Sequence, residues 1–164
     1  MSLQAPHELN LVQNEQARTE SYTLRARAPV IGDDLIAWLK AKLAQGEGST
    51  IRVCLHPDTD AALHQMVIVH RPGGVFDAHK HLATDEAYHM IEGRLRITMF
   101  DDEGGETQSH LLGAPGCGLP YLLRVRAGTW HRTVPESDHA VFHEARPGPF
   151  RRDDSVVAPW EAAS

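Results

Sequence analysis

The sequence predicts an all-β domain that follows one short helix. Three observations support this: one amphipathic helical stripe near residue 35, a change after Thr50 to short apolar segments, and turn-forming residues between those segments. Many short strands at this spacing are typical of a sandwich or barrel. A length of 164 residues suits a single domain that buries a core of its own.

The strong helical pattern covers residues 34–44. Its apolar side chains recur at helical spacing and form one stripe, made of Leu35, Ile36, Leu39 and Leu43. We expect a polar N-terminal arm at 1–24, a main domain at 25–150 and a C-terminal tail at 151–164. Arm and tail are expected to pack across a homodimer, because a small barrel leaves apolar surface to cover.

Seven segments after Thr50 are predicted to be strands. In one of them Leu95, Ile97 and Met99 alternate with polar residues, which buries one face of a strand and exposes the other. Turns rich in glycine, proline and aspartate separate the segments. The predicted strands are 51–55, 65–70, 86–91, 95–100, 108–112, 122–127 and 140–145.

Charge and composition exclude several classes of function. Sixteen basic against 22 acidic residues give a net charge of −6, which disfavours nucleic acid or an anionic membrane as a partner. No apolar run approaches the ~20 residues of a membrane span, and the first residues show no secretory signal. Two cysteines, Cys54 and Cys117, make no disulfide framework, so a cytoplasmic location is expected.

Histidine is abundant, with 11 copies, and its spacing indicates a metal site. His79 and His81 are two residues apart, so on an extended strand both point to one face. Glu86 opens the following strand, and His131 belongs to a distant strand that folding would bring across the barrel. Three imidazoles and one carboxylate suit one divalent transition metal ion, such as Fe, Mn, Ni or Zn. Such a set leaves coordination positions open for a substrate.

The same residues follow a known spacing. The stretch Gly73-(X)5-His79-X-His81-(X)4-Glu86-(X)6-Gly93 resembles the first motif of the cupins at every defining position. The later stretch Gly128-(X)2-His131 fits the second cupin motif. This resemblance implies a single cupin barrel, which is a double-stranded β-helix or jelly roll, with the metal bound by the three histidines and the glutamate.

A closer resemblance covers about residues 25–160. The helix, the segment RVCLHP at 52–57, the ending EARPGPF at 144–150 and APW at 158–160 are similar to the WbuC family of cupin-fold metalloproteins. That family is named from polysaccharide gene clusters. The resemblance therefore implies a sugar or a sugar nucleotide as the substrate class.

Candidate catalytic groups follow from strand parity. Tyr88 lies two residues after Glu86 on the same predicted strand, so its side chain is predicted to line the same interior. His143 and Glu144 lie on opposite faces of a later strand, so one of them can point into the barrel. Tyr88 and His143 are the candidates for a general acid or base. His89 is expected to face away from the ligands, and His64 to lie on the surface.

These features favour a metal-dependent enzyme that acts on a small polar molecule. Two alternatives stay open at this point: a non-catalytic module that binds a metal or a ligand, and a sugar-nucleotide isomerase that needs no metal. The metal content of the purified protein separates the last alternative from the others. Neither a nucleic acid nor a membrane is expected as a partner.

Overall fold

The computed structural model describes residues 10–74 and 76–161. In chain order the elements are β1 (Leu11–Gln13), β2 (Glu20–Leu24), α1 (Asp33–Gln45), β3 (Thr50–Cys54), β4 (Leu63–His70), β5 (His79–His81), β6 (Glu86–Glu92), β7 (Arg94–Phe100), β8 (Glu106–Gly113), β9 (Leu122–Val125), β10 (Trp130–Pro135), β11 (Ala140–Pro147) and β12 (Ser155–Val157). Within these ranges no helix has the length and apolar character of a membrane span.

The strands form two sheets. One has seven strands in the order β1-β2-β3-β4-β11-β6-β9, and the other has five in the order β12-β5-β10-β7-β8. Neighbours pair antiparallel except β2 and β3, which are parallel. Strand β11 lies between β4 and β6, so strands distant in the sequence are neighbours in the sheet, as in a jelly roll. The predicted all-β architecture with one N-terminal helix is confirmed.

The middle of the large sheet, around β4, is buried on both faces. Along β4, Val67 and Val69 pack with the helix, while Met66 and Ile68 pack with the barrel interior. The apolar stripe of α1 is fully buried against the outer face, with Leu35 and its neighbours in one core cluster. This burial of both faces explains why the β4 segment reads as a continuous apolar run in the sequence.

The ends of the described chain are more ordered than the sequence indicates. Within the predicted arm, residues 11–13 and 20–24 form β1 and β2, with Tyr22 and Leu24 buried against the helix. Residues 1–9 of the predicted arm lie outside the described residues. In the predicted tail, Trp160 packs on Trp130 and Phe100 of the same chain. The homodimer remains a prediction.

One histidine prediction is wrong. His64 is only 4% exposed instead of lying on the surface. Its ring stacks on His56 with 4.1 Å between ring centroids, and its Nε2 lies 3.2 Å from the carbonyl oxygen of Thr59. The alternation of β4 places His64 on the barrel side, with Met66.

His70, at the end of β4, makes folding dependent on pH. Its ring is 8% exposed and packs against Phe76 and Phe142. Burial lowers the pKa of His70 to about 4, whereas an unfolded histidine titrates near 6.5. Between these two values only the unfolded chain takes up the proton, so stability falls as the pH falls. Below about pH 4 both states are protonated and this contribution levels off.

We expect this histidine to remove about 3 kcal/mol of stability between pH 6.5 and pH 4. Urea unfolding at several pH values measures the loss. The variant His70→Asn keeps a partner for the Thr50 hydroxyl, which lies 2.9 Å from Nδ1, but cannot titrate there. Its stability should therefore fall less steeply with acid than that of the unchanged protein. Parallel pH profiles would contradict the assignment.

Candidate metal centre

The candidate metal ligands come from both sheets. His79 on β5 pairs directly with His131 on β10 in the small sheet, and Glu86 opens β6 of the large sheet. One donor atom from each of these three side chains lies within 4.8 Å of the other two. Glu86 and His131 are 3% and 1% exposed. The structure therefore brings together three of the four predicted ligands inside the barrel.

Backbone carbonyls fix the orientation of two imidazoles. Nδ1 of His79 lies 3.1 Å from the Asp77 carbonyl oxygen, and Nδ1 of His131 lies 3.0 Å from the Thr129 carbonyl oxygen. A carbonyl only accepts, so each Nδ1 carries the hydrogen. Each neutral ring then keeps its lone pair on Nε2. This is the arrangement that metal-binding histidines adopt, with the second nitrogen bound to an acceptor.

The centre places two acceptor atoms in contact. Nε2 of His131 lies 3.0 Å from Oε2 of Glu86. Burial acts to raise the pKa of Glu86, but its contacts with His131 and His81 outweigh burial and hold the pKa well below its ordinary value. An ionised carboxylate facing an imidazole lone pair is repulsive unless a cation lies between them. The donor set therefore fits a metal ion, or a proton that makes His131 an imidazolium.

His79 is available as a neutral ligand. Burial, followed by the charge of His131, lowers the pKa of His79 to about 4. Its imidazole is therefore neutral at physiological pH, and protons compete for its lone pair only in strong acid.

His81, the fourth predicted ligand, lies beside this group. Its Nε2 is 3.0 Å from Oε1 of Glu86, and its Nδ1 is 3.9 Å from Oδ2 of Asp154. Asp154 also binds the loop after β5, since its carboxylate accepts from the Ala83 amide and the Thr84 hydroxyl. At this distance the carboxylate makes no hydrogen bond with Nδ1, but its negative charge favours a hydrogen on Nδ1 when Nε2 serves as a ligand.

Tyr88 reaches the centre, as parity predicts. Its hydroxyl lies 2.6 Å from Oε2 of Glu86 and 3.1 Å from Nε2 of His131. Burial and the charge of Glu86 raise the pKa of Tyr88 well above its ordinary value. The hydroxyl therefore stays protonated and donates to the Glu86 carboxylate.

The structure does not bring His143 to the centre. On β11 it pairs with His89 of β6, on the outer side of the large sheet, where its Nε2 lies 3.3 Å from Nε2 of Gln65. Its neighbour Glu144 pairs with Tyr88 instead and faces the barrel. Burial and the charge of Glu86 raise the pKa of Glu144 well above its ordinary value. Of the two residues, Glu144 is the one beside the ligands.

A cleft of about 620 Å³ opens beside Glu86. Most of its lining is apolar, with alanines, Leu63 and Pro147. Two arginines, Arg124 and Arg146, supply its basic groups. Sequence reasoning missed Arg146, although it lies two residues beyond Glu144, which puts both side chains on the same face of β11.

Comparisons with known proteins identify the fold. Residues 32–112 match DUF6016, a domain of unknown function, and no match was found among curated proteins. Three solved structures resemble the chain: protein SO0799 from Shewanella oneidensis (22% identity, TM-score 0.52), the formate complex of oxalate decarboxylase from Lactobacillus farciminis (14%, 0.54) and CapF with the inhibitor 3-isopropenyl-tropolone (16%, 0.55). This chain has the cupin fold.

The extent of these similarities differs. The alignments cover 66%, 73% and 68% of this chain, in the same order. They cover 69% of SO0799 but only 35% of the oxalate decarboxylase and 32% of CapF. At these identities the likeness concerns the cupin fold alone.

Proposed function

We propose that this cupin binds one divalent transition metal ion and is a metal-dependent enzyme for a small polar substrate. The observation that carries the proposal is the 3.0 Å contact between Nε2 of His131 and Oε2 of Glu86. Since Nδ1 of His131 donates to a carbonyl, the neutral ring offers the lone pair of Nε2 beside the carboxylate oxygen, and a metal ion can bind both in place of a proton. His79 supplies a third donor, and His81 becomes the fourth once its hydrogen moves to Nδ1.

A metal at this position would act as a Lewis acid that holds and polarises an oxygen of the substrate. The mixed set of imidazoles and one carboxylate does not select among Fe, Mn, Ni and Zn. Tyr88 holds Glu86 in place through its hydroxyl and is our candidate for the group that exchanges a proton with the substrate. The neighbouring Glu144 is placed to accept or supply the next proton.

The substrate class rests on the resemblance to the WbuC family. We propose a sugar or a sugar nucleotide in polysaccharide biosynthesis, a class of molecule rich in the hydroxyl oxygens that such metals bind. The cleft beside Glu86 is open to solvent, which is consistent with a catalytic site in which a coordination position exchanges with substrate.

Elemental analysis tests the metal. The protein should be purified without a nickel column, and its metal content measured by mass spectrometry. We expect about one transition metal ion per chain, as purified or after incubation with Fe, Mn, Ni or Zn. A protein that stays free of metal after all four incubations would contradict the proposal and favour metal-independent chemistry.

The Tyr88 hydroxyl should tune the affinity for the metal. Tyr88→Phe removes the donor 2.6 Å from Oε2 of Glu86, so the carboxylate is less well oriented. Loss of such a contact weakens metal binding by about 10-fold. Competition with a coloured chelator measures the dissociation constant. Tyr121→Phe, at a tyrosine that is 48% exposed, is the matched control and should leave the affinity unchanged.

A further inference from the structure

Arg146 provides the cleft with a largely buried guanidinium group that has unused donors. The side chain of Arg146 is only 10% exposed, and its Nη1 lies 3.3 Å from the ring nitrogens of His81. Among residues 10–74 and 76–161, its Nε and Nη2 have no hydrogen-bond partner. Since neither atom is among the fully buried atoms that lack a partner, both are open to the cleft.

The charge of Arg146 is shared among several acidic groups, because it also acts to lower the pKa of Glu144 and of Asp154. Its only ion pair in the described part of the chain is the 4.0 Å approach of Nη1 to Oε1 of Glu86. Arg124, the other cleft arginine, is bound by Asp85 through Nε and Nη2. Because Nε and Nη2 of Arg146 face an open cleft, they can exchange water for the oxygens of a ligand anion.

Arg146 and the metal centre share one end of the cleft. Nη1 of Arg146 lies beside both His81 and Glu86, and Glu86 itself lines the cleft. A ligand that lies in the cleft against Arg146 therefore also reaches the ligand group of the metal. The remaining lining residues are mostly small and apolar. Arg146 and the metal centre therefore provide most of the polar recognition.

We propose that the cleft binds the carboxylate of a small organic acid through the free edge of Arg146. This rests on the proposed function, because it names the substrate class of the same site. A carboxylate matches the planar guanidinium fork with two parallel hydrogen bonds. One positive charge, which already faces Glu86 and Asp154 and has Asp85 nearby, favours a single negative charge over a phosphate dianion. A sugar acid satisfies both this requirement and the sugar chemistry proposed above.

Matched sugars test the proposal by titration calorimetry. D-Glucuronate and D-glucose differ in one carboxylate, and inorganic phosphate serves as the third probe. We expect the unchanged protein to bind glucuronate about tenfold or more tighter than glucose, as one charge-assisted pair provides. Phosphate should bind more weakly than glucuronate. Equal binding of the two sugars, binding of neither, or tighter binding of phosphate would each overturn the carboxylate assignment.

Variants at Arg146 separate recognition from structural support. Arg146→Gln should remove the preference for glucuronate, and Arg146→Lys, which keeps the charge but not the fork, should retain part of it. Arg94→Gln, at an exposed arginine beyond the opposite end of β6, is the control and should keep the full preference. An Arg146→Gln protein that still prefers glucuronate overturns the proposal, even if its thermal stability is reduced.

Metal content, measured on every sample, keeps the two proposals distinguishable. If the protein binds no metal, the proposed function fails, yet the preference for glucuronate should persist because Arg146 alone provides it. If the metal is bound and the preference is missing, only the carboxylate proposal fails. Because Arg146 contacts His81 and Glu86, Arg146→Gln and the unchanged protein are compared at matched metal content, and also as metal-free samples.

Discussion

Replacing His131 with alanine is expected to weaken metal binding by more than about 100-fold, a larger loss than substitutions around metal ligands cause. His131 contributes one of three clustered donors, and its ring is 1% exposed. Solvent therefore does not readily supply a replacement ligand when the ring is removed. Chelator competition measures the affinity, and circular dichroism verifies the fold. His143→Ala and His89→Ala, on the outer side of the large sheet, are the controls and should bind metal normally.

Glu86→Gln separates charge from shape at the same centre. The amide loses the negative charge that a metal requires, so metal affinity should fall as far as in His131→Ala. In the metal-free protein the contacts with His131 and His81 stabilise Glu86 as an anion, and the amide loses this stabilisation. The metal-free variant should therefore be less stable than the metal-free parent. A metal-free variant that is as stable as its parent would show that these contacts do not favour the ionised carboxylate.

Replacing Gly93 with alanine should destabilise the fold by about 2–4 kcal/mol. This glycine makes the turn between β6 and β7 with φ of +74°, a conformation that side chains disfavour. An added Cβ would also lie 2.0 Å from the His139 carbonyl oxygen and 2.5 Å from the Ser137 hydroxyl. The loop that carries these atoms would have to move.

A second glycine separates the two causes. Gly116 has nearly the same backbone, with φ of +88°, but nothing lies within 4 Å of its added Cβ. Gly116→Ala should therefore cost about 1 kcal/mol, the conformational part alone. Urea unfolding of both variants measures the difference. Equal losses would mean that the contact with His139 is relieved at no cost.

Local patterns were sufficient to predict much of this molecule. The helix could be predicted because the spacing of its apolar residues from Leu35 to Leu43 fits a helix and not a strand. The strand at 95–100 could be predicted because its two faces differ in polarity. The ligand group could be predicted because two-residue parity places His79 and His81 on one face of a strand, and Glu86 opens the next strand along the chain.

The remaining features depend on contacts that no local pattern records. Strand β12 exists because β5 offers it an open edge, and β2 because α1 covers Tyr22. The choice of Glu144 over His143 was decided by the pairing of β11 with β6, which a single strand does not reveal. Arg146 was missed for a similar reason, since its importance comes from the ligands across the barrel.

The origin of the ligands in two different sheets has a thermodynamic consequence. A bound ion joins His79 and His131 in the small sheet to Glu86 in the large one, so it acts as a removable cross-link between the two layers. Its contribution to folding grows with the logarithm of free metal, by about 1.4 kcal/mol for each tenfold rise above the dissociation constant. The stability of the folded chain therefore depends on the concentration of free metal ion around it.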